Sequence, residues 1–241
     1  MTASDHAPRN NEPAYVLHTY PYLETSLIVE ALSRHAGRVA LIARGAKRPR
    51  SSIRGQLQSF QPLELSWIGK NEPRTLRKAE WRGGQAMLQG LALLCGFYMN
   101  ELLLKLLPRD DPHEALFDAY AKALQQLGNA TELPPVLRRF ELSLLRELGY
   151  GLLLHHEAGT DNAVVAENCY AYVPDHGPVA RHNGANPVQV RGKTLLDLQR
   201  EDFSDPITLA ESKQLLRGEI KHRLGKQQLH TRQLLKDLQE L

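Results

Sequence analysis

The segment Arg44-Gly45-Ala46-Lys47-Arg48-Pro49-Arg50-Ser51-Ser52-Ile53-Arg54-Gly55 carries five positive charges separated mostly by small residues, and Ile53 is its lone bulky apolar member. On an extended loop such residues offer Lys and Arg to phosphate oxygens as charged donors and Ser hydroxyls as neutral ones. A solvated run of surface charge accounts for the same residue types. The neighbourhood favours phosphate: no acidic residue lies between Glu30 and Glu64, while Arg34, Arg38 and the whole basic segment fall inside that window. The chain's formal net charge is only +3, so the asymmetry is local. The candidate phosphate-binding set is therefore Arg38, Arg44, Lys47, Arg48, Arg50 and Arg54, with Arg74 and Arg77 added from the strand that follows. Tyr15, Tyr20, Tyr22, Phe60, Trp67 and Trp81 lie near it and can stack on bases, although Phe60 and Trp67 sit where barrel-core residues would.

Other reactive residue types do not assemble into a site. His113-Glu114 follow Asp111-Pro112 with the spacing of a helix start: Asp at the N-cap, Pro first in the helix, Glu three residues after the cap. His155, His156, Cys169, His176 and His182 can bind metals, but no pair has CxxC or HxxxH spacing. The two cysteines, Cys95 in an apolar run and Cys169 in a polar one, allow neither a disulfide framework nor a four-cysteine metal site, which suits a reducing compartment. Neither GxxxxGK[ST] nor GxSxG occurs, so no residue set proposes a reaction. A binding protein without metal or cofactor is expected, not an enzyme.

The elements that must carry these residues change character along the chain. Residues 1–12 are polar, without the apolar core of a signal peptide, and are expected to be flexible and not to direct export. From 13 to 82, Tyr15–Tyr20, Ser26–Glu30, Arg38–Ala43 and the alternating Leu63, Leu65, Trp67 read as short strands punctuated by Gly37 and Gly45. Four or five strands in so short a span suggest an OB-fold barrel, an architecture that presents loops and one face to oligonucleotides. From Gly83 to the end, residues 83–241, the period is mainly helical: Met87, Leu88, Leu91, Leu94, Cys95, Tyr98, Leu102 and Leu106 share one buried stripe. A second helix is expected from Asp111 to about Leu127, and a third after Pro134-Pro135 with Leu137, Phe140, Leu144, Leu145 and Leu148 inward and Arg138, Arg139 and Arg146 largely off that face. Residues 159–205 read as a loop-rich insertion with a short hairpin at most, and residues 206–241 as C-terminal helices broken at Gly225 and resuming near His230. The apolar run Ala86–Met99, interrupted by Gln89, is too short to span a bilayer. The C-terminal cations Lys213, Arg217, Lys221, Arg223, Lys226, Arg232 and Lys236 fit either a solvated helix or a groove for an acidic peptide. The fold class is α+β, a barrel followed by a helical domain whose irregular insertion lacks zinc.

Three stretches resemble the RecO family. They are Val16-Leu17-His18 with Glu24-Thr25-Ser26-Leu27 and Arg44-Gly45-Ala46-Lys47; Asn100-Glu101-Leu102-Leu103 with Asp111 to Phe117; and Arg138-Arg139-Phe140-Glu141-Leu142 leading to Leu148-Gly149-Tyr150. Leu224-Gly225-Lys226 to Thr231-Arg232 adds a fourth match, so the resemblance spans nearly the whole chain in order. It implies a cytoplasmic, nucleoid-associated bacterial protein of recombinational repair. Such a protein binds single- and double-stranded DNA, anneals complementary strands, and with RecR helps load RecA onto DNA covered by single-stranded DNA-binding protein (SSB). It also implies that the acidic SSB tail docks on the helical domain, a role that falls on Arg138 and Arg139. Many members hold zinc with four cysteines where this chain has Cys169 alone beside Tyr170-Ala171-Tyr172-Val173, so it resembles the metal-free branch. The rival reading is an adaptor that bridges SSB and RecR with only incidental DNA contact.

Overall fold

The structure, a computed structural model, describes residues 9–129, 132–160, 162–180, 188–231 and 233. Described residues up to 129, together with 229–231 and 233, form one compact unit; those from 132 to 228 form a second.

In the first unit, strands β1 (Arg9–Tyr22), β2 (Ser26–Ser33), β3 (Gly37–Ala43), β4 (Leu63–Ile68) and β5 (Arg74–Trp81) close into a barrel in the order β1-β2-β3-β5-β4. The OB-like barrel expected from the strand pattern is thus present. Of the expected flexible residues 1–12, residues 1–8 lie outside the described residues, and Arg9 to Glu12 already belong to β1. Closure requires β1 to pair with both β2 and β4, and a bulge between Val16 and His18 bends the strand enough to serve both. Every other residue then points inward. Val16, Val29, Val39, Leu41, Leu65 and Trp67 are buried in the barrel interior, so Trp67 is a core residue. A parallel pairing of Leu41 with Arg74 and Ile42 with Thr75 completes the ring.

Helices α2 (Gly90–Leu106) and α3 (Glu114–Asn129) pack on the outside of β1. The bulged Leu17 leaves its carbonyl without a sheet partner, and buried Asn100 of α2 donates to it at 2.8 Å. Tyr120 of α3 in turn donates to Asn100 Oδ1 at 2.6 Å, and Tyr15 of β1 packs edge-on against Tyr120. Burial pushes the Tyr120 phenol well above its ordinary pKa, which favours the protonated form that donates here. Helix α3 begins at Glu114, two residues after the Pro112 start that the capping pattern suggests. The reason is tertiary: residues 109 and 110 run beside β3, with Asp110 N donating to Arg38 O at 3.0 Å, and the Asp111 backbone presses on Gly37. A Cβ on Gly37, whose φ is +69°, would lie 2.2 Å from Asp111 O, so only glycine permits this approach.

The C-terminal residues of this unit dock on α2 through one carboxylate. Glu101 accepts from the His230 and Thr231 backbone amides at 2.8 and 2.9 Å and from the Thr231 hydroxyl at 2.7 Å. These are the free amides of a helix start, which the expectation placed near His230; the rest of that expected helix, residues 232 and 234–241, lies outside the described residues.

In the second unit, α4 (Leu133–Glu147) and α6 (Pro206–Leu224) pack together, and α6 also covers α5 (Gly192–Gln199) and β8 (Val188–Arg191). Strands β6 (Cys169–Val173), β7 (Gly177–Val179) and β8 form an antiparallel sheet in the order β7-β6-β8. Where the sequence suggested loops with one hairpin, there is a three-stranded sheet and a helix, held by packing. Tyr170 and Tyr172 are buried and their hydroxyls accept the Val165 and Leu153 amides at 2.9 and 3.1 Å. Among the described residues, no group of three or more His, Cys, Asp or Glu is placed to hold a metal ion.

Burial alone would raise the Glu101 carboxyl, but the Thr231 and His230 hydrogen bonds and the nearby Lys105 outweigh it and hold the pKa below the usual carboxylate value. Its stabilisation is therefore present above about pH 4.3 and lost as pH falls through the lower folded value. Urea unfolding of Glu101→Gln between about pH 6 and about pH 3 should show a smaller acid loss of stability than the parent chain.

Candidate nucleic-acid interface

The basic segment connects β3 to β4 and is mounted on the barrel more firmly than its composition suggests. Ala46 is fully buried, the Lys47 amide donates to Thr25 O of the β1–β2 turn at 2.8 Å, and the chain then forms α1 (Ser52–Gln56). Ile53 is half-buried against the barrel core and Leu57 is buried within it, so Ile53 anchors the segment. Gly45, at φ +68°, makes the turn, with the Arg48 side chain lying over it. The segment and the β1–β2 turn therefore share one end of the barrel.

This mounting leaves the charges outward. Arg44, Lys47, Arg48, Arg50 and Arg54 are all exposed, and none makes an ion pair among the described residues. Arg77 is likewise exposed on β5. The parallel ladder pairs Ile42 with Thr75, and two residues further along their chains stand Arg44 and Arg77. Lys70, exposed in the β4–β5 turn, is a cation the sequence reading passed over; its Gly69-Lys70-Asn71 turn was the available signal.

Arg38 and Arg74 are different. Arg38 pairs with Glu30 at 3.2 Å and donates through Nε to Leu107 O at 2.9 Å. Arg109 joins the same Glu30 carboxylate and also pairs with Glu72 at 3.1 Å. Arg74 is buried and pairs with Asp110 at 2.6 Å. These arginines tie the barrel to residues 107–110, and the structure does not bring them to the open surface where the loop cations stand.

In the second unit, the helical arginines diverge. Arg138 is buried, with its guanidinium 2.7 Å from the Glu141 carboxylate and its Nε without a partner among the described residues. Arg139, one position round the helix, is half-buried, reaches Glu201 O at 3.4 Å and lies 5.4 Å above the Phe203 ring. The expectation that both stand off the apolar face therefore holds for Arg139 only: Arg138 is buried, and Glu141 three residues on compensates its charge. On α6, Lys213, Arg217 and Lys221 are exposed at four-residue steps and form a solvent-facing cationic stripe.

With this geometry described, comparison with known proteins decides the family. Residues 9–84 match the profile Recombination protein O N terminal, and residues 87–233 match Recombination protein O C terminal. The chain belongs to the RecO family. It is 54% identical to "DNA repair protein RecO" of Azoarcus sp. (strain BH72) over 96% of this chain and 97% of that protein, and 53% identical to the protein of the same name from Nitrosospira multiformis over 95% and 96%. The RecO N-terminal region coincides with the closed barrel, and the C-terminal region begins just before α2. A role in DNA repair follows from this family membership. No helix among the described residues of this RecO family member is long and apolar enough to cross a membrane.

Arg38→Ala should lower stability by about 2 kcal/mol, because it strips one of two cations from a carboxylate that is 4% exposed and leaves the Leu107 carbonyl without its donor, while Arg109 still pairs with Glu30. Arg50→Ala, a solvent-exposed change, should stay within about 0.5 kcal/mol of the parent in the same urea titration.

Proposed function

We propose that this RecO family protein is a recombination mediator. In this reading it grips the phosphates of single- and double-stranded DNA without sequence preference, anneals complementary strands, and with RecR helps load RecA onto SSB-coated DNA. The observation that carries the reading is the set of five exposed cations, without carboxylate partners among the described residues, on a loop anchored to one end of a closed OB-like barrel. Free cations matter because a guanidinium already neutralised by a carboxylate releases little counterion on meeting a phosphate, whereas an unpaired one contributes its full share. The proposed contact set is Arg44, Lys47, Arg48, Arg50, Arg54 and Arg77. Arg38 and Arg74 shape the barrel that presents it.

Annealing follows from the same electrostatics. A rigid cationic surface screens the repulsion between two polyanions and concentrates both strands, and no reaction chemistry is required. The protein acts in this reading in the bacterial cytoplasm, on the nucleoid. The second unit supplies partner contacts: Arg139 on its rim, with Arg138 behind it, would meet the acidic SSB tail by charge pairing.

In an annealing assay with SSB-coated oligonucleotides, joint replacement of Lys47, Arg48 and Arg50 by Ala should abolish annealing. It should also flatten the log-log salt dependence of single-strand binding from roughly −4 by about 2. Annealing that survives intact would favour the adaptor reading instead. Arg139→Ala should weaken binding of an SSB-tail peptide by calorimetry on the order of fivefold while leaving naked DNA binding as it was.

A further inference from the structure

The outward face of β1, β2 and β3 carries a feature that charge does not use. Register places Tyr20 opposite Ile28 and Ile28 opposite Ile42, all on the outer side of the barrel, since their neighbours Val29 and Leu41 are completely buried in its interior. Tyr20 is 45% exposed, and both isoleucines are partly exposed. The Tyr20 ring does not swing freely: it meets the His18 ring edge to face at 4.5 Å between centroids and 66° between planes. The result is a shallow aromatic and aliphatic strip three strands wide, about 10 Å across. Arg44 is the next outward-facing residue beyond Ile42, and Arg77 the one beyond Thr75.

The strip's occupant is set by what borders it. Unpaired guanidinium groups call for an anion, and a flat exposed ring beside aliphatic side chains calls for a flat apolar partner. A single-stranded nucleic acid supplies both at the spacing of one nucleotide, phosphate and base face. A duplex supplies only the phosphates, because its base faces are already covered by one another.

We propose that Tyr20, backed by His18 and flanked by Ile28 and Ile42, is a base-stacking subsite for single-stranded DNA, with Arg44 and Arg77 holding the adjoining phosphates. It rests on the DNA-binding reading above and deepens it: the basic loop serves both strands and duplexes, and the Tyr20 strip makes the protein prefer unpaired strands. The contribution is hydrophobic and dispersive, so it is insensitive to salt.

The test measures binding of the full-length protein to a labelled oligothymidylate and to a blunt duplex of equal length across a salt series. Tyr20→Phe keeps the ring and should bind both as the parent does. Tyr20→Ala and the strand-compatible Tyr20→Thr remove it, and each should weaken single-strand binding on the order of tenfold or more, with duplex binding and salt slope unchanged. Equal single-strand affinity in the parent and Tyr20→Thr overturns the subsite, and so does a loss shared equally by duplex. A parent protein that binds neither DNA overturns the underlying DNA-binding reading as well, which distinguishes the two failures.

Discussion

A carboxylate buried on the outside of a barrel organises much of the first unit. Glu30 sits on the outward face of β2 at 3% exposure, where an ionised group without compensation would cost several kcal/mol. Arg38 on the neighbouring strand and Arg109 from the segment after α2 neutralise it together, and Arg109 reaches on to Glu72 in the β4–β5 turn. That requirement draws residues 107–110 against β3, which brings the Asp111 backbone onto Gly37 and delays the start of α3. The carboxylate thus positions helices as well as strands.

The same constraint sorts the arginines. In a window without acidic residues between Glu30 and Glu64, all cations look alike in one dimension. In three dimensions Arg38, paired with Glu30, and Arg34, paired with Glu114 and Asp118, become part of the scaffold. Those beyond Ala43, carried out of reach by the turn at Gly45, make no ion pair among the described residues. The proposed DNA-binding surface is what remains after the fold has met its own electrostatic needs.

Local pattern made the barrel and the helical region legible in the sequence, because alternation along a strand and three-to-four spacing along a helix are set by the burial of one face. Trp67 as a core residue and the exposure of Lys47, Arg48 and Arg50 were readable for that reason; the stripe expected on α2 was readable only in part, since Met87 and Leu91 are exposed and the helix buries Cys95, Met99, Leu102 and Leu103. The chain-long resemblance to the RecO family was readable as well, from short motifs kept in order. Strands β6, β7 and β8 and helix α5 were not: they are short, interleaved with Gly, Pro and Asn, and stabilised by contacts such as Tyr170 and Tyr172 accepting amides from distant loops.

Charge and side-chain period are properties of neighbouring residues, so the basic segment, its barrel and the helices around it could be read from order along the chain. Which cations are paired could not, because Arg38 finds Glu30 across a strand pair and Arg74 finds Asp110 over 36 positions. The setting of Tyr20 beside Ile28 and Ile42 likewise depends on register across three strands. Pairing over such separations exists only once the chain has closed on itself, and it is this closure that turns a stretch of positive residues into a defined surface.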